Sequence, residues 1–109
     1  MIIVLPTTTS GEKSFISEHF SRCNFFYVYN TDTKMGEVYV NTNKDGNGGV
    51  GIKSVEFILK HETDVLITPR VGEKAMNLLS GTVVKLYMST DKIVKENIAS
   101  FLSGELKEL

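Results

Sequence analysis

The chain opens on an uninterrupted apolar run, Met1-Ile-Ile-Val-Leu5, rich in β-branched side chains and ended by Pro6. A run of this kind suits a strand covered on both faces in the middle of a sheet. Residues 7–24 are polar and include Gly11; they predict a long loop with a helical turn over Ser17 to Cys23. Phe25 to Asn30 and Gly36 to Thr42 are rich in aromatic and β-branched residues. The turn-forming composition of Thr31-Asp-Thr-Lys-Met-Gly36 between them predicts an antiparallel hairpin. After a polar loop at residues 43–51 the period changes, and Ile52, Val55, Ile58 and Leu59 fall on one face of a helix that ends near His61. Asp64 to Thr68 predicts a fourth strand, Glu73 to Ser80 a short helix with Met76 and Leu79 inward, and Val83 to Met88 a fifth strand. The last helix starts near Thr90 or Asp91, either a suitable N-cap, turns Val94, Ile98, Phe101 and Leu102 to the core and stops at Gly104.

The resulting order, βββαβαβα, restricts the topology. The β-α-β crossovers from the third strand onward are right-handed and parallel, whereas the short links at the start are antiparallel. An α/β, ribonuclease H-like mixed sheet of five strands in the order 3-2-1-4-5 satisfies both conditions. Strands one, three, four and five then point the same way, so the loops at residues 7–24, 43–51, 68–72 and 88–91 converge on one edge. Open α/β sheets bind ligands at the carboxyl ends of their strands, at the switch point, which here lies between strands one and four.

Composition narrows the function class. A length of 109 residues with a 41% hydrophobic share predicts one domain over residues 1–109 with a core that needs no covalent staple. The single cysteine, Cys23, forms no internal disulfide, which fits a reducing, cytoplasmic compartment. The start lacks the basic leader and the length of a signal peptide, and no apolar run reaches the roughly 20 residues needed to span a bilayer. A formal net charge of -1 lacks the basic footprint of a nucleic-acid binder. The expectation is a protein with neither membrane nor nucleic acid as partner.

The residues that bear chemistry lie in the converging loops. In Ser17-Glu-His-Phe-Ser-Arg-Cys23 an imidazole and a thiol stand four residues apart, so a helical segment would place His19 and Cys23 on one face. Imidazole binds iron, copper or zinc, and thiolate selects soft metals and iron–sulfur units. Two ligands do not close a site. Any metal would be shared with another subunit, with exogenous thiols or with a preformed cluster; the plainer alternative is a loop histidine beside a buried cysteine. Arg22 would lower the Cys23 pKa or attract an anion, the plainer alternative being an ordinary surface arginine of a loop.

Gly46-Asn-Gly-Gly-Val-Gly51 matches the letters of a dinucleotide fingerprint but follows the third strand. What survives is that Gly48, Gly49 and Gly51 open a helix whose free N–H groups attract an anion, or form a flexible turn. Thr68-Pro-Arg-Val-Gly72 repeats the arrangement, with Gly72 at the helix start and Arg70 either the cation for an anionic ligand or a solvated loop charge. His61 reads as a helix C-terminal residue that interacts with the dipole. Catalysis finds little support. Strand one carries no carboxylate for two-metal nuclease chemistry, and the His/Cys pair lacks a third group to orient it.

Several segments together resemble the dinitrogenase iron–molybdenum cofactor biosynthesis family, nearly end to end. They are Ser17 to Cys23, Phe25-Phe-Tyr-Val-Tyr29, Gly48-Gly-Val-Gly51, Val65-Leu-Ile-Thr68 with Gly72 and Ala75, and Phe101-Leu-Ser-Gly-Glu-Leu106. The resemblance implies the same fold and a non-catalytic binding or carrier protein for an iron–sulfur or iron–molybdenum-type cluster or its precursor. Such cargo would be held transiently and exchanged with cluster-assembly or acceptor proteins. The family's His-Phe-Gly motif places the cofactor histidine at His19, with Cys23 as possible second ligand; Ser21 stands where the motif has glycine, and Pro69-Arg70 where a glycine turn is usual. The alternative is a metal-free interaction or regulatory domain that binds a protein partner or a small anion.

Overall fold

The computed structural model describes residues 1–109. Strands β1 (Ile2–Thr7), β2 (Phe25–Asn30) and β3 (Met35–Val40) are followed by helix α1 (Val50–Lys60), strand β4 (Val65–Thr68) and helix α2 (Glu73–Ser80). Strand β5 (Lys85–Met88) and helix α3 (Val94–Leu102) complete the order. The sheet runs β3-β2-β1-β4-β5. The β1/β2 and β2/β3 pairs are antiparallel, and β1/β4 and β4/β5 are parallel. This is the expected ribonuclease H-like layout.

Alternation along the central strands divides the core into two layers. Val4 of β1 and Leu66 of β4 face α1 and α2, joining Phe26, Val55, Ile58, Ala75 and Leu79. Their neighbours Ile3, Leu5, Val65 and Ile67 face the other way, against Val94 and Ile98 of α3. A continuous apolar run is therefore required where both faces are covered. β1 extends two residues past its predicted end, through Pro6 to Thr7. The proline ring fixes φ at a value that extended backbone tolerates, and the Pro6 carbonyl accepts the Ser17 N–H at 2.8 Å.

On β2 the Tyr27 ring lies directly over Gly36 of β3, where a Cβ would collide with it. At the β5 edge the C-terminal residues cover the open strand, with Met88 N–H donating to Lys107 at 2.7 Å and Leu109 N–H to Leu86 at 2.8 Å.

Two predicted features are corrected. The helical turn over Ser17 to Cys23 is absent; the segment is irregular, and Ile16 and Phe15 form single bridges to Thr7 and Ile93. α3 begins at Val94, and neither Thr90 nor Asp91 caps it. Its first N–H groups are satisfied by the loop instead, Val94 donating to Ser14 at 2.8 Å and Lys95 to Glu12 at 2.9 Å.

His61 closes α1 as its C-cap, with its ring packed between Tyr39 (4.6 Å between centroids) and Phe57 (4.2 Å). Burial, reinforced by Lys60, pushes its pKa below the usual value. The unfolded chain then takes up this proton more readily than the native one, so native stability falls as pH drops through about 6.5. Urea midpoints at pH 7.5 and 5 should show this loss in the wild type and a smaller loss in His61→Phe.

Candidate functional site

The first loop leaves the carboxyl end of β1, and the β4–α2 loop leaves the carboxyl end of the neighbouring strand. Their meeting forms an open cleft of about 300 Å³, lined by residues 18–22 and 70–72. His19, Arg22, Arg70 and Gly72, four of the expected site residues, are thereby brought together from segments about 50 residues apart. The cleft lies at the β1/β4 switch point, where open α/β sheets collect ligands.

Local hydrogen bonds set the loop that carries His19. The Ser17 hydroxyl donates to the His19 carbonyl at 3.1 Å and accepts the His19 N–H at 3.2 Å. This compact turn leaves the imidazole exposed while Phe20 beside it is buried in the core. Arg22 reaches across to the second loop, donating to the Lys44 carbonyl at 2.8 Å and the Gly46 carbonyl at 3.2 Å. It binds the two loops together while lining the cleft. Thr68 supports the other wall, its hydroxyl donating to the Arg70 carbonyl at 3.2 Å.

The electrostatic balance favours an anion. Two arginines line the cleft with one carboxylate, Glu18, and the single ion pair in the chain joins the Met1 amino group to Asp32 and involves neither arginine. The Arg70 guanidinium thus has no protein carboxylate to neutralise it. An adjoining cleft of about 360 Å³ shares Glu18 and is lined by Phe15, Thr90 and Asp91, so positive and acidic lobes sit side by side.

Gly48, Gly49 and Gly51 do not line the cleft. Gly49 caps α1 at φ 68°, a left-handed backbone that glycine adopts without strain. A Cβ on Gly51 would lie 3.9 Å from the Ala75 Cβ, an ordinary contact, so the approach of α1 and α2 does not require glycine there. Their connection to the cleft runs through Arg22 and the second-loop carbonyls.

The structure does not pair His19 with Cys23. Cys23 is buried at 1% exposure in the α1/α2 layer, and the Asn41 amide donates to its sulfur at 3.7 Å and to its carbonyl at 2.9 Å. Burial outweighs that hydrogen bond and pushes the thiol pKa up to about 12, against the lowering expected from Arg22. A protonated core thiol is neither a nucleophile nor a ready ligand. Cys23 should therefore resist a large thiol reagent in native protein and react fully in denaturant; a native rate close to that of free cysteine would contradict its burial. No group of three or more His, Cys, Asp or Glu side chains is arranged to hold a metal ion.

Residues without a sequence signal hold these loops. The fully buried Asn97 of α3 accepts the Thr90 N–H at 2.8 Å and donates to the Lys92 carbonyl at 2.9 Å. Asn41 donates to the Ser21 carbonyl at 2.9 Å and so fixes the position after His19 and Phe20. Asparagine is usually a surface residue, and neither stands in a motif.

Residues 1–104 match the family described as dinitrogenase iron-molybdenum cofactor. An uncharacterized protein of Methanocaldococcus jannaschii is 29% identical over 111 residues, covering 99% of this chain and 91% of that protein. Among solved structures, the apo orange protein of Desulfovibrio gigas superposes with a TM-score of 0.92 at 24% identity, covering 99% and 92% of the two chains. A Thermotoga protein described as a NifB candidate of the DUF35 family gives 0.87 at 31% identity, with 99% and 92% coverage.

Proposed function

The chain belongs to the dinitrogenase iron–molybdenum cofactor family, and on that premise we propose that it is a non-catalytic carrier whose cargo is a preformed, anionic iron–sulfur or iron–molybdenum-type cluster or precursor. The observation that carries this reading is the meeting of exposed His19 with Arg22 and unneutralised Arg70 in one cleft at the β1/β4 switch point. His19 supplies a nitrogen ligand, and the arginines hold the negative charge. One protein ligand is too few for a permanent site, so the cargo keeps its own sulfide or thiolate ligands and leaves readily. That suits exchange with cluster-assembly and acceptor proteins of the cytoplasm. Cys23, held in the core, serves the fold.

The donor set fits such cargo. An imidazole accepts iron, a paired guanidinium surface accepts a multiply charged anion, and the cleft is open enough for a cluster to enter assembled. Purification without oxygen, with iron and sulfide supplied, tests the reading through visible absorption and metal content. Wild type and Cys23→Ala should carry colour and metal, and His19→Ala should lose most of both. A colourless, metal-free wild type, or undiminished loading of His19→Ala, would leave the interaction-domain alternative in its place.

A further inference from the structure

Across the sheet from α1 and α2, α3 covers β1, β4 and Tyr27 of β2 and leaves β3 at the sheet edge bare. Val38 lies beside Tyr27 and Val40 beside Phe25 in the strand register, and these valines are 37% and 65% exposed. Where this bare face meets α3, a shallow groove of about 240 Å³ has Tyr27 and Tyr29 as its floor and Ile98 and Leu102 as its wall. Leu102 is 56% exposed although it continues the apolar face of α3. An antiparallel pair can leave one face in water, but the side chains on that face are then ordinarily polar, not valine. Exposed apolar side chains gathered beside a groove mark a contact surface.

The rim indicates what covers it. Lys34 and Lys95 stand at the groove with Glu12 as the single acid, and neither lysine is in an ion pair. Lys34 occupies the last position of the hairpin turn at φ 60°, a left-handed conformation normally left to glycine or asparagine, so a cation is held at the groove against local backbone preference. The volume is below the roughly 300–1,000 Å³ of small-molecule sites, and the floor continues onto the flat sheet, which favours a macromolecular segment over an enclosed ligand.

We infer that this groove is a docking surface for an acidic amphipathic helix of a partner protein, whose apolar face lies on Tyr29, Val38 and Leu102 while its flanking carboxylates meet Lys34 and Lys95. This goes beyond the carrier reading and does not depend on cargo in the cleft. The two surfaces are nonetheless joined by one loop, because the Lys95 N–H donates to the Glu12 carbonyl at 2.9 Å, seven residues before His19. A partner seated here touches the segment that carries the cleft histidine.

Amide NMR titration of the full chain tests the proposal. The probes are a synthetic helical peptide with leucines at i, i+4 and i+7 flanked by glutamates, the same peptide with lysines for the glutamates, and vesicles containing anionic phospholipid. The acidic peptide should give saturable shifts centred on Tyr29, Lys34, Val38, Lys95 and Leu102. Binding should weaken about tenfold in Lys34→Glu/Lys95→Glu and by a similar factor in Leu102→Asp, all three substitutions being at exposed positions where the spectrum reports an intact fold. Equal binding of the two peptides, no saturable shift with the acidic one, charge variants that bind as wild type, or capture by vesicles in preference to peptide would each overturn it.

Discussion

Replacing Phe26 by alanine is expected to cost about 3–5 kcal/mol, the usual loss for truncating a buried aromatic side chain. Phe26 is 1% exposed on β2, stacked on Phe57 at 4.7 Å and edge-on to Phe20 at 5.9 Å. The three rings tie the first loop, the sheet and α1 into one layer. In a chain of this size the loss should lower the melting temperature by at least about 10 °C. Leu102→Ala, at a position 56% exposed, should remain within about 0.5 kcal/mol. Thermal unfolding of both variants followed by circular dichroism checks the contrast; similar melting temperatures would mean that the layer is not packed as described.

The second large effect concerns cargo. Arg70→Glu should reduce the affinity for an anionic cluster about tenfold, whereas Arg70→Lys should retain most of it. Arg70 is exposed and its guanidinium has no carboxylate partner, so reversal adds repulsion at the cleft without opening the core. Because the site is open to solvent, rising salt should weaken wild-type binding and narrow the difference between the variants. Arg22 is a poorer subject for this test, because its bonds to the Lys44 and Gly46 carbonyls also hold the second loop. Metal content after equilibration with a limiting supply of cluster, at low and at high salt, measures the effect. Equal loading of Arg70→Glu and wild type would remove the arginine from the site.

The strands and helices of this protein were legible because burial on both sheet faces leaves continuous apolar runs in β1 and β4, and burial on one face leaves a helical period in α1 and α3. From their order and the handedness of crossovers the sheet order followed, and with it the edge where the cleft lies. The first loop was not legible in the same way. Ser17 turns its hydroxyl onto the backbone of His19, and Asn41, 18 residues beyond Cys23, takes the carbonyls of Ser21 and Cys23. These side-chain bonds compete with a helix and depend on a residue too distant for local pattern to register. The start of α3 was misplaced for a related reason: its cap is the backbone of Glu12 and Ser14, so Thr90 and Asp91 had no capping task left.

The same distinction separates the site residues. His19, Arg22, Arg70 and Gly72 were expected at one edge because they follow the carboxyl ends of neighbouring strands, a matter of topology, and they line one cleft. The expected common face of His19 and Cys23 did not form, because spacing alone does not say which way a loop side chain points. Four residues after His19, Cys23 turns inward between β1 and α1, where burial keeps its proton up to about pH 12. Between the thiol's ordinary pKa of 9.0 and that value the unfolded chain ionises first, so Cys23 contributes stability that is lost as pH rises through this window.

The central claim is that an assembled anionic cluster lodges between residues 18–22 and 70–72. It is tested most directly by adding a preformed, thiolate-ligated iron–sulfur cluster to the labelled protein without oxygen and mapping the amide signals that its paramagnetism broadens. The account predicts saturable broadening confined to the first loop around His19 and the β4–α2 loop around Arg70, and its absence in His19→Ala. Broadening centred elsewhere, spread evenly over the surface, or undiminished in His19→Ala would contradict it.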